Sequence, residues 1–317
     1  MGLTERAREG DRRALARVIS IVENGGAEAR AALAKLYTHT GRARVLGVTG
    51  PPGAGKSTLV NAVALELRAR GKTVAIVAVD PTSPFTGGAV LGDRIRMQPL
   101  GGDQGVFVRS MASRGQLGGI ARATADVVKV FDAVGFDVVI VETVGAGQAE
   151  VEIAREAHTV IVVEVPGLGD DVQAIKAGIL EIADIFVVNK ADRDGAGNVA
   201  RQLKTMLQLG ETEQTGWTPP ILMAVASRGD GVSETVDAVV AHWNYLETSG
   251  TLEERERARV VRELRMILQN TALDLVRGRV PQEQRLKIVE EIRARRLDPY
   301  TAAERLLGDA LGVTLTT

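Results

Sequence analysis

A glycine-rich loop is the first chemical signal in this sequence. Residues 50–57 read Gly-Pro-Pro-Gly-Ala-Gly-Lys-Ser, between an apolar run and a helical pattern. Glycines let successive backbone N–H groups surround a phosphate, and the helix N-terminus adds partial positive charge. Lys56 is expected to reach the β- and γ-phosphates, and the Ser57 hydroxyl to ligate Mg²⁺. The pattern predicts a Walker A loop, whose nucleotide-binding residues are Gly50, Pro51, Pro52, Gly53, Ala54, Gly55, Lys56, Ser57 and Thr58.

A second motif indicates which base this loop serves. Asn189, Lys190 and Asp192 form an N-K-x-D pattern at the end of an apolar run. The Asp192 carboxylate can accept from N1–H and the exocyclic amine of guanine, whereas adenine offers no such donor pair. Asn189 is expected to contact guanine N7 and brace the phosphate loop, with the Lys190 stem over the base. Ala226 and Ser227 follow a later apolar run, where a backbone N–H can reach guanine O6, although a plain turn explains that pair nearly as well.

Carboxylates near the ends of apolar runs predict a place for the metal and the γ-phosphate. Asp80 and Glu142 each directly follow such a run, so both are expected at the C-terminal edge of a parallel sheet, where α/β proteins bind ligands. Glu142 and Gly145 have the spacing of a D-x-x-G switch with Glu in place of Asp, so the Gly145 N–H can reach the γ-phosphate. Gln148 is a candidate for orienting the attacking water. Asp93 lies in a long Gly-rich stretch, where spacing alone fits a solvated residue equally well.

The elements that must position these residues alternate between strands and helices. The apolar runs are rich in Val and Ile and barely alternate with polar residues, as strands buried on both faces do. This order predicts an α/β P-loop NTPase with a mostly parallel, doubly wound sheet. Predicted strands cover residues 45–49, 73–79, 106–108, 138–141, 160–165, 185–188 and 221–225, with helices at 56–70, 117–134, 171–181, 199–209 and 232–246.

Helical patterns without strands flank this central region. Residues 3–38 are predicted helical, with Asp11 as a cap and a second helix over 27–37. After residue 250 the predicted helices cover 252–277, 282–295 and 299–307. The predicted domains are a helical extension at 1–43, the nucleotide-binding domain at 44–249 and a helical arm at 250–317.

Composition excludes several classes of protein. The 317 residues carry a net charge of −1, so no global basic field exists to hold a nucleic acid. The absence of cysteine excludes a disulfide framework, Cys-rich zinc sites and thiol catalysis. The first residues mix acidic and basic side chains without an apolar core, and no apolar run approaches the ~18 residues of a membrane span. We therefore expect a cytoplasmic protein that binds neither nucleic acid nor membrane.

Taken together, these motifs resemble the MeaB/ArgK family of P-loop GTPases, which are associated with methylmalonyl-CoA mutase and grouped with nickel and cobalt metallochaperone GTPases. The matching stretches, in the family's order, are residues 50–58, 80–88, 91–94, 142–148, 166–179 and 189–192. Thr82 departs from the family pattern, in which Ser is expected, but it keeps the hydroxyl. The resemblance covers most of the chain.

The resemblance implies roles that spacing does not show. Asp80, Asp93 and Glu142 become residues that bind Mg²⁺ and sense the phosphates. Asp170 and Lys176 fall in a segment similar to the family's third switch, which couples the nucleotide state to the partner. The implied activity is Mg²⁺-dependent hydrolysis of GTP to GDP that gates adenosylcobalamin delivery to methylmalonyl-CoA mutase and release of damaged cofactor.

The resemblance also implies a homodimer formed by the C-terminal helices. The predicted helix at 252–277 suits that role, because its apolar face would meet water on a monomer. The alternative is that this helix packs back on its own nucleotide-binding domain. The apolar face includes Val261, Leu264, Leu268 and Leu275.

Four other functions remain as alternatives. A metallochaperone GTPase for another metalloenzyme, or a chaperone of a related acyl-CoA mutase, would share these motifs. Metallochaperones usually carry a Cys/His motif, whereas His39, His158 and His242 are far apart here, and His158 is read as structural. A kinase would require a phosphorylated product. A protein-targeting GTPase would require a basic or Met-rich partner domain, which six scattered methionines do not provide.

Overall fold

The computed structural model describes six stretches of the chain, residues 2–81, 102–113, 117–143, 156–167, 181–209 and 216–313. At residues 80–81, 112–113, 117–121 and 209 it describes the backbone only. The chain divides into two compact units, Met1–Leu252 and Glu253–Thr317.

A parallel sheet of seven strands forms the centre of the first unit among the described residues. Each neighbouring pair is parallel, and the spatial order is β3-β2-β4-β1-β5-β6-β7. The strand β1 is therefore central, with β4 and β5 on its two sides. The strands are β1 (Arg44–Thr49), β2 (Val74–Pro81), β3 (Val106–Ser113), β4 (Val138–Thr143), β5 (Thr159–Glu164), β6 (Ile185–Val188) and β7 (Ile221–Met223).

Helices cover both faces of this sheet. Leu46 and Val48 of β1 pack on one face, in a core shared with the helices that follow the phosphate loop and β7. Val45 packs on the other face, with the N-terminal helices and the helix after β3. The helices of this unit are Leu3–Arg8, Arg12–Asn24, Gly26–Tyr37, Lys56–Ala69, Leu117–Val134, Ala196–Leu209 and Val232–Ser249.

This architecture confirms the predicted doubly wound α/β fold, although some bounds differ. Strand β3 continues beyond the predicted residue 108 to Ser113, because its backbone pairs with β2 regardless of the polar Arg109 and Ser110. Strand β7 ends at Met223 rather than at 225, since Val225 forms only an isolated bridge with Asp230.

The N-terminal region contains three helices instead of the two predicted. Asp11 caps the second of them, accepting from the backbone N–H groups of Arg13 and Ala14. The bond from Ala14, followed by that from the Arg6 side chain, lowers the pKa of the Asp11 carboxyl. This helix ends at Gly25, whose φ of +73° stops the chain from continuing as a helix.

The second unit consists of helices. They are Thr251–Arg279, which begins just before the unit's boundary, Gln282–Arg293 and Pro299–Leu311. The last helix is tied to the earlier ones by Arg279, which donates to the Ala310 carbonyl at 3.2 Å, and by Gln284, which donates to Asp309 at 2.7 Å. The predicted domain bounds at 43 and 249 stay predictions.

Candidate nucleotide site

The loop at residues 50–55 joins β1 to the helix Lys56–Ala69 at the C-terminal edge of the sheet. Two of its glycines are required by close neighbours. Gly50 has φ +142°, and a Cβ there would overlap the backbone carbonyl of Val163 on β5. Gly55 has φ +83°, and a Cβ there would lie 2.5 Å from the Asn189 side-chain nitrogen. The loop therefore has the close backbone approach that a phosphate cradle requires.

Lys56 is buried at the start of the helix, with 6% of its surface exposed. Its ammonium donates to the carbonyls of Gly50 and Pro51, at 2.8 and 3.0 Å. These bonds hold the ammonium group at the phosphate loop, next to the N-terminal end of the helix. That position suits a lysine that neutralises phosphate charge.

Ser57 and Glu142 are brought together by neighbouring strands. Glu142 lies beside Val48 in the register of β4 and β1, and its side chain is buried. The Ser57 hydroxyl donates to Oε1 of Glu142 at 2.6 Å. Hydroxyl and carboxylate oxygens are ligands that Mg²⁺ accepts, so the pair fits the metal site predicted from the sequence. Among the described residues, this site included, no three or more His, Cys, Asp or Glu side chains are grouped so as to hold a metal ion.

Asn189 connects the three loops of the site. Its side-chain nitrogen donates to the Ala54 carbonyl at 2.9 Å, and its side-chain oxygen accepts from the Ala226 N–H at 3.1 Å. Lys190 adds a second link, since its ammonium donates to the Gly53 carbonyl at 2.7 Å. The structure thus contains the predicted brace between Asn189 and the phosphate loop, whereas the guanine contacts stay predictions.

Asp192 and Ser227 lie at the exposed rim of this arrangement. The backbone N–H of Ala191 donates to the Ala224 carbonyl at 3.0 Å, which holds the N-K-x-D loop against the chain leaving β7. The Asp192 carboxylate faces the guanidinium of Arg228, 3.7 Å away. Arg228 is a rim residue that the sequence motifs do not include, and its position directly after the Ala226-Ser227 pair is the signal that points to it.

Several predicted site residues are outside the described part of the chain. These are Asp93, Gly145, Gln148, Asp170 and Lys176, and the predicted helix at 171–181 falls largely there too. Asp80 lies in β2, where the backbone alone is described.

Two histidines, His158 before β5 and His242 on the helix Val232–Ser249, have structural surroundings. His158 is buried, and its Nδ1 accepts from the Val45 backbone N–H at 3.0 Å. His242 is fully buried, with Nδ1 2.7 Å from the Thr159 hydroxyl and Nε2 3.3 Å from Asp184. Neither side chain reaches the surface, which agrees with the structural interpretation of His158.

The fold and the site define a class of protein. A parallel α/β sheet with a Walker A loop after its central strand and an N-K-x-D motif braced against that loop is a P-loop GTPase. The family model described as "Methylmalonyl Co-A mutase-associated GTPase MeaB" matches residues 15–280. The chain belongs to this family and is a GTPase that binds guanine nucleotides and hydrolyses GTP.

Individual relatives agree with this family. A putative GTPase of Pyrococcus abyssi is 49% identical over 312 residues, covering 98% of this chain and 96% of the relative. The mitochondrial methylmalonic aciduria type A homolog of Caenorhabditis elegans is 32% identical, covering 96% and 81%. A crystal structure described as an LAO/AO transport system kinase superposes with a TM-score of 0.73 at 28% identity, covering 96% and 95%.

Proposed function

We propose that this GTPase is a chaperone of methylmalonyl-CoA mutase that gates adenosylcobalamin delivery and protects or reactivates the mutase. The observation that carries the proposal is the match of the mutase-associated family model to residues 15–280. The match includes both nucleotide motifs and the switch segments between them.

Guanine recognition is the first part of the proposed mechanism. Asp192 accepts from N1–H and the exocyclic amine of guanine, and Asn189 contacts N7 while it braces the phosphate loop. A backbone N–H of the Ala226-Ser227 pair is proposed to reach O6; the Ala226 N–H donates to the Asn189 side chain in the structure, so it would have to share or exchange that bond. The exposed position of the Asp192 carboxylate, on a loop held by the Ala191–Ala224 backbone bond, supports this assignment.

Hydrolysis is the second part, and it requires positioning and charge neutralisation more than covalent chemistry. Lys56 neutralises the phosphates, and the loop N–H groups orient them. Ser57, Glu142, Asp80 and Asp93 are the proposed Mg²⁺ ligands or their partners. When bound, Mg²⁺ neutralises charge on the β- and γ-phosphate oxygens.

The remaining groups of the hydrolytic site lie in the switch that follows β4. Gly145 is proposed to donate its N–H to the γ-phosphate. Gln148 is proposed to orient the attacking water. Glu142 connects this switch to the phosphate-loop helix through its hydrogen bond from Ser57.

Partner coupling is proposed for Asp170 and Lys176. Their segment follows β5, whose C-terminal half contacts the phosphate loop at Gly50. A loop anchored there can be biased by the nucleotide on one side and by a partner on the other.

The proposed assembly is a homodimer formed through the second unit. The helix Thr251–Arg279 contains no buried residue. Large apolar side chains are exposed on it instead, as expected of a surface that another chain covers. Val261, Leu264 and Leu268 have exposed fractions of 51%, 56% and 60%.

The second candidate function is a metallochaperone GTPase for another metalloenzyme, or a chaperone of a related acyl-CoA mutase. The lack of cysteine and the burial of His158 and His242 disfavour metal carriage by side chains of the described residues.

Among the described helices, none has the length and apolar character needed to span a bilayer.

A reconstituted assay tests the proposal. GTP turnover is measured by phosphate release, with and without purified methylmalonyl-CoA mutase, and cobalamin transfer to the apo-mutase is followed by absorbance. We expect the mutase to stimulate turnover, and GTP hydrolysis to control transfer. Failure of both with methylmalonyl-CoA mutase, but not with a related acyl-CoA mutase, would favour the second candidate.

A further inference from the structure

Arg228 lies between two carboxylates at the rim of the nucleotide site. Its Nε donates to Oδ2 of Asp230 at 2.9 Å. Its Nη1 lies 3.7 Å from Oδ2 of Asp192. The guanidinium is thus held by one carboxylate in a defined orientation and presents its other edge to the residue proposed to read guanine.

The turn that carries Arg228 is closed by its own backbone. The Val225 N–H donates to the Asp230 carbonyl at 2.9 Å, and the Arg228 N–H donates to the Val225 carbonyl at 2.9 Å. The residue between them, Ala226, is tied to Asn189 at 3.1 Å. The position of the Arg228 backbone therefore follows that of the N-K-x-D loop.

The separation between Arg228 and Asp192 is too long for a hydrogen bond between them. At 3.7 Å the groups form an ion pair without a hydrogen bond. A carboxylate has about four acceptor positions on its two oxygens, so those used by a base edge remain available. Arg228 attracts the carboxylate without replacing the base as its donor.

We infer that Arg228 is a positioning residue for guanine recognition, which orients the Asp192 carboxylate for acceptance of two hydrogen bonds from the base. The inference rests on the proposed guanine role of Asp192. Acceptance from both N1–H and the exocyclic amine requires the plane of the carboxylate to match the base edge. A single hydrogen bond tolerates rotation of the carboxylate. The loss of Arg228 should therefore weaken most the binding of bases that offer both donors.

The test compares the affinities of GDP and IDP, because IDP lacks the exocyclic amine. The variants are Arg228→Ala and Arg228→Gln, which both remove the charge, while the latter keeps most of the length. For an exposed ion pair, we expect GDP affinity to fall about two- to fivefold and IDP affinity to fall less. The GDP-to-IDP preference therefore decreases, and Arg228→Lys restores part of it.

Arg193→Ala is the matched control. Arg193 is exposed and adjacent to Asp192 in sequence, whereas the ion pair that the described residues form at Asp192 is with Arg228. The control removes the same charge from the same rim and should leave the GDP-to-IDP preference unchanged. Because surface ion pairs are screened, the difference between wild type and Arg228→Gln should also shrink as salt approaches 1 M.

Three results would overturn the inference: an unchanged GDP-to-IDP preference in Arg228→Gln, a tighter binding of GDP, or an equal effect of Arg193→Ala. A separate arm tests the underlying role of Asp192. If Asp192→Asn fails to gain XDP binding, the guanine proposal itself fails. If it gains XDP binding while Arg228→Gln behaves as wild type, only the role of Arg228 is rejected.

Discussion

The Ser57 hydroxyl donates a 2.6 Å hydrogen bond to the Glu142 carboxylate across 85 residues of sequence. The bond joins the first turn of the phosphate-loop helix to the end of β4, from which the proposed γ-phosphate switch continues. Because β1 and β4 are paired with Val48 beside Glu142, the sheet register determines this meeting. Phosphate binding and the switch therefore share a hydrogen-bonded pair of proposed metal-site residues.

Glu142→Gln is expected to slow GTP hydrolysis and to raise the Mg²⁺ concentration that it requires, without unfolding the sheet. The amide keeps an acceptor for Ser57 but loses the negative charge that a divalent cation requires. We expect GTP turnover to fall about tenfold or more, as hydrogen bonds to charged groups are stronger than neutral ones. Saturation should also need more Mg²⁺, which a titration of phosphate release measures.

Glu66→Gln is the control for this substitution. Glu66 lies on the same helix as Ser57, and its carboxylate pairs with Arg70 on the partly exposed surface. Its loss should leave the Mg²⁺ titration at the wild-type midpoint. If Glu142→Gln also keeps the wild-type midpoint, Glu142 is not part of the metal site.

Lys56→Ala is expected to abolish most GTP hydrolysis. The lysine holds its charge at the phosphate loop through the carbonyls of Gly50 and Pro51. By analogy with the loss of one preorganised donor at a reaction centre, turnover should drop about a hundredfold or more. Phosphate release measures the loss, and circular dichroism shows whether the fold is retained. Unchanged turnover with a normal spectrum would reject the catalytic role.

Asp192→Asn is expected to change which base is bound. The carboxamide presents a donor where the carboxylate accepted, so it mismatches guanine and matches xanthine. Sites built from buried or directed polar groups discriminate strongly, so we expect GTP affinity to fall about a hundredfold or more while XTP binding appears. Competition titrations with GTP, XTP and ATP measure this. Equal binding of ATP and GTP by the wild type would refute the N-K-x-D assignment.

Much of the fold could be predicted because its strands are buried on both faces. Val138, Val139, Ile140 and Val141 form an uninterrupted apolar run, and a parallel strand covered by helices needs such a run. Strand β3 was predicted too short because it lies at the edge of the sheet. There Arg109 continues the backbone ladder while its side chain pairs with Glu23 of the N-terminal helices.

The site was predictable where one local motif contains the chemistry. The glycines, the lysine and the serine hydroxyl of residues 50–57 belong to one local loop. Their order along the sequence is therefore sufficient to predict the phosphate site. The contacts of Ser57 with Glu142 and of Arg228 with Asp192 depend on which strands become neighbours. Spacing along the sequence does not show which strands pair or in what register. These two contacts are therefore seen only in the structure.

Removal of the residues after Ser249 is expected to convert a homodimer into a monomer. The apolar side chains exposed on the helix Thr251–Arg279 would otherwise face water. Light scattering of a chain ending at Ser249 measures the mass. The full chain with Leu264→Glu and Leu268→Glu is a second test, because it keeps the helix and changes only its exposed face.

Two results would contradict a homodimer formed through the helix Thr251–Arg279. A dimer that persists after truncation places the interface in the first unit. A full-length chain that is monomeric before any change leaves the exposed helix face without a second copy.

Lys176→Ala is expected to separate the basal activity from its stimulation by a partner. Lys176 follows the Pro166-Gly167 turn that leaves β5, and Gly167 has a φ of +86°, a conformation that favours glycine. Asp170 and Lys176 are six residues apart, a spacing at which side chains of one helix are not ideal neighbours. We therefore expect each to meet a different group, and to do so in the complex with the mutase.

In this variant, basal phosphate release should stay within about twofold of wild type, because Lys176 is not among the residues proposed to bind the nucleotide or Mg²⁺. Stimulation by saturating methylmalonyl-CoA mutase should be lost, because the coupling requires a group that contacts the partner only in the assembled state. Asp170→Asn, measured beside it, reports whether the charge on the other side of the switch is also needed. Equal stimulation of Lys176→Ala and wild type would make Lys176 a solvated lysine with no part in coupling.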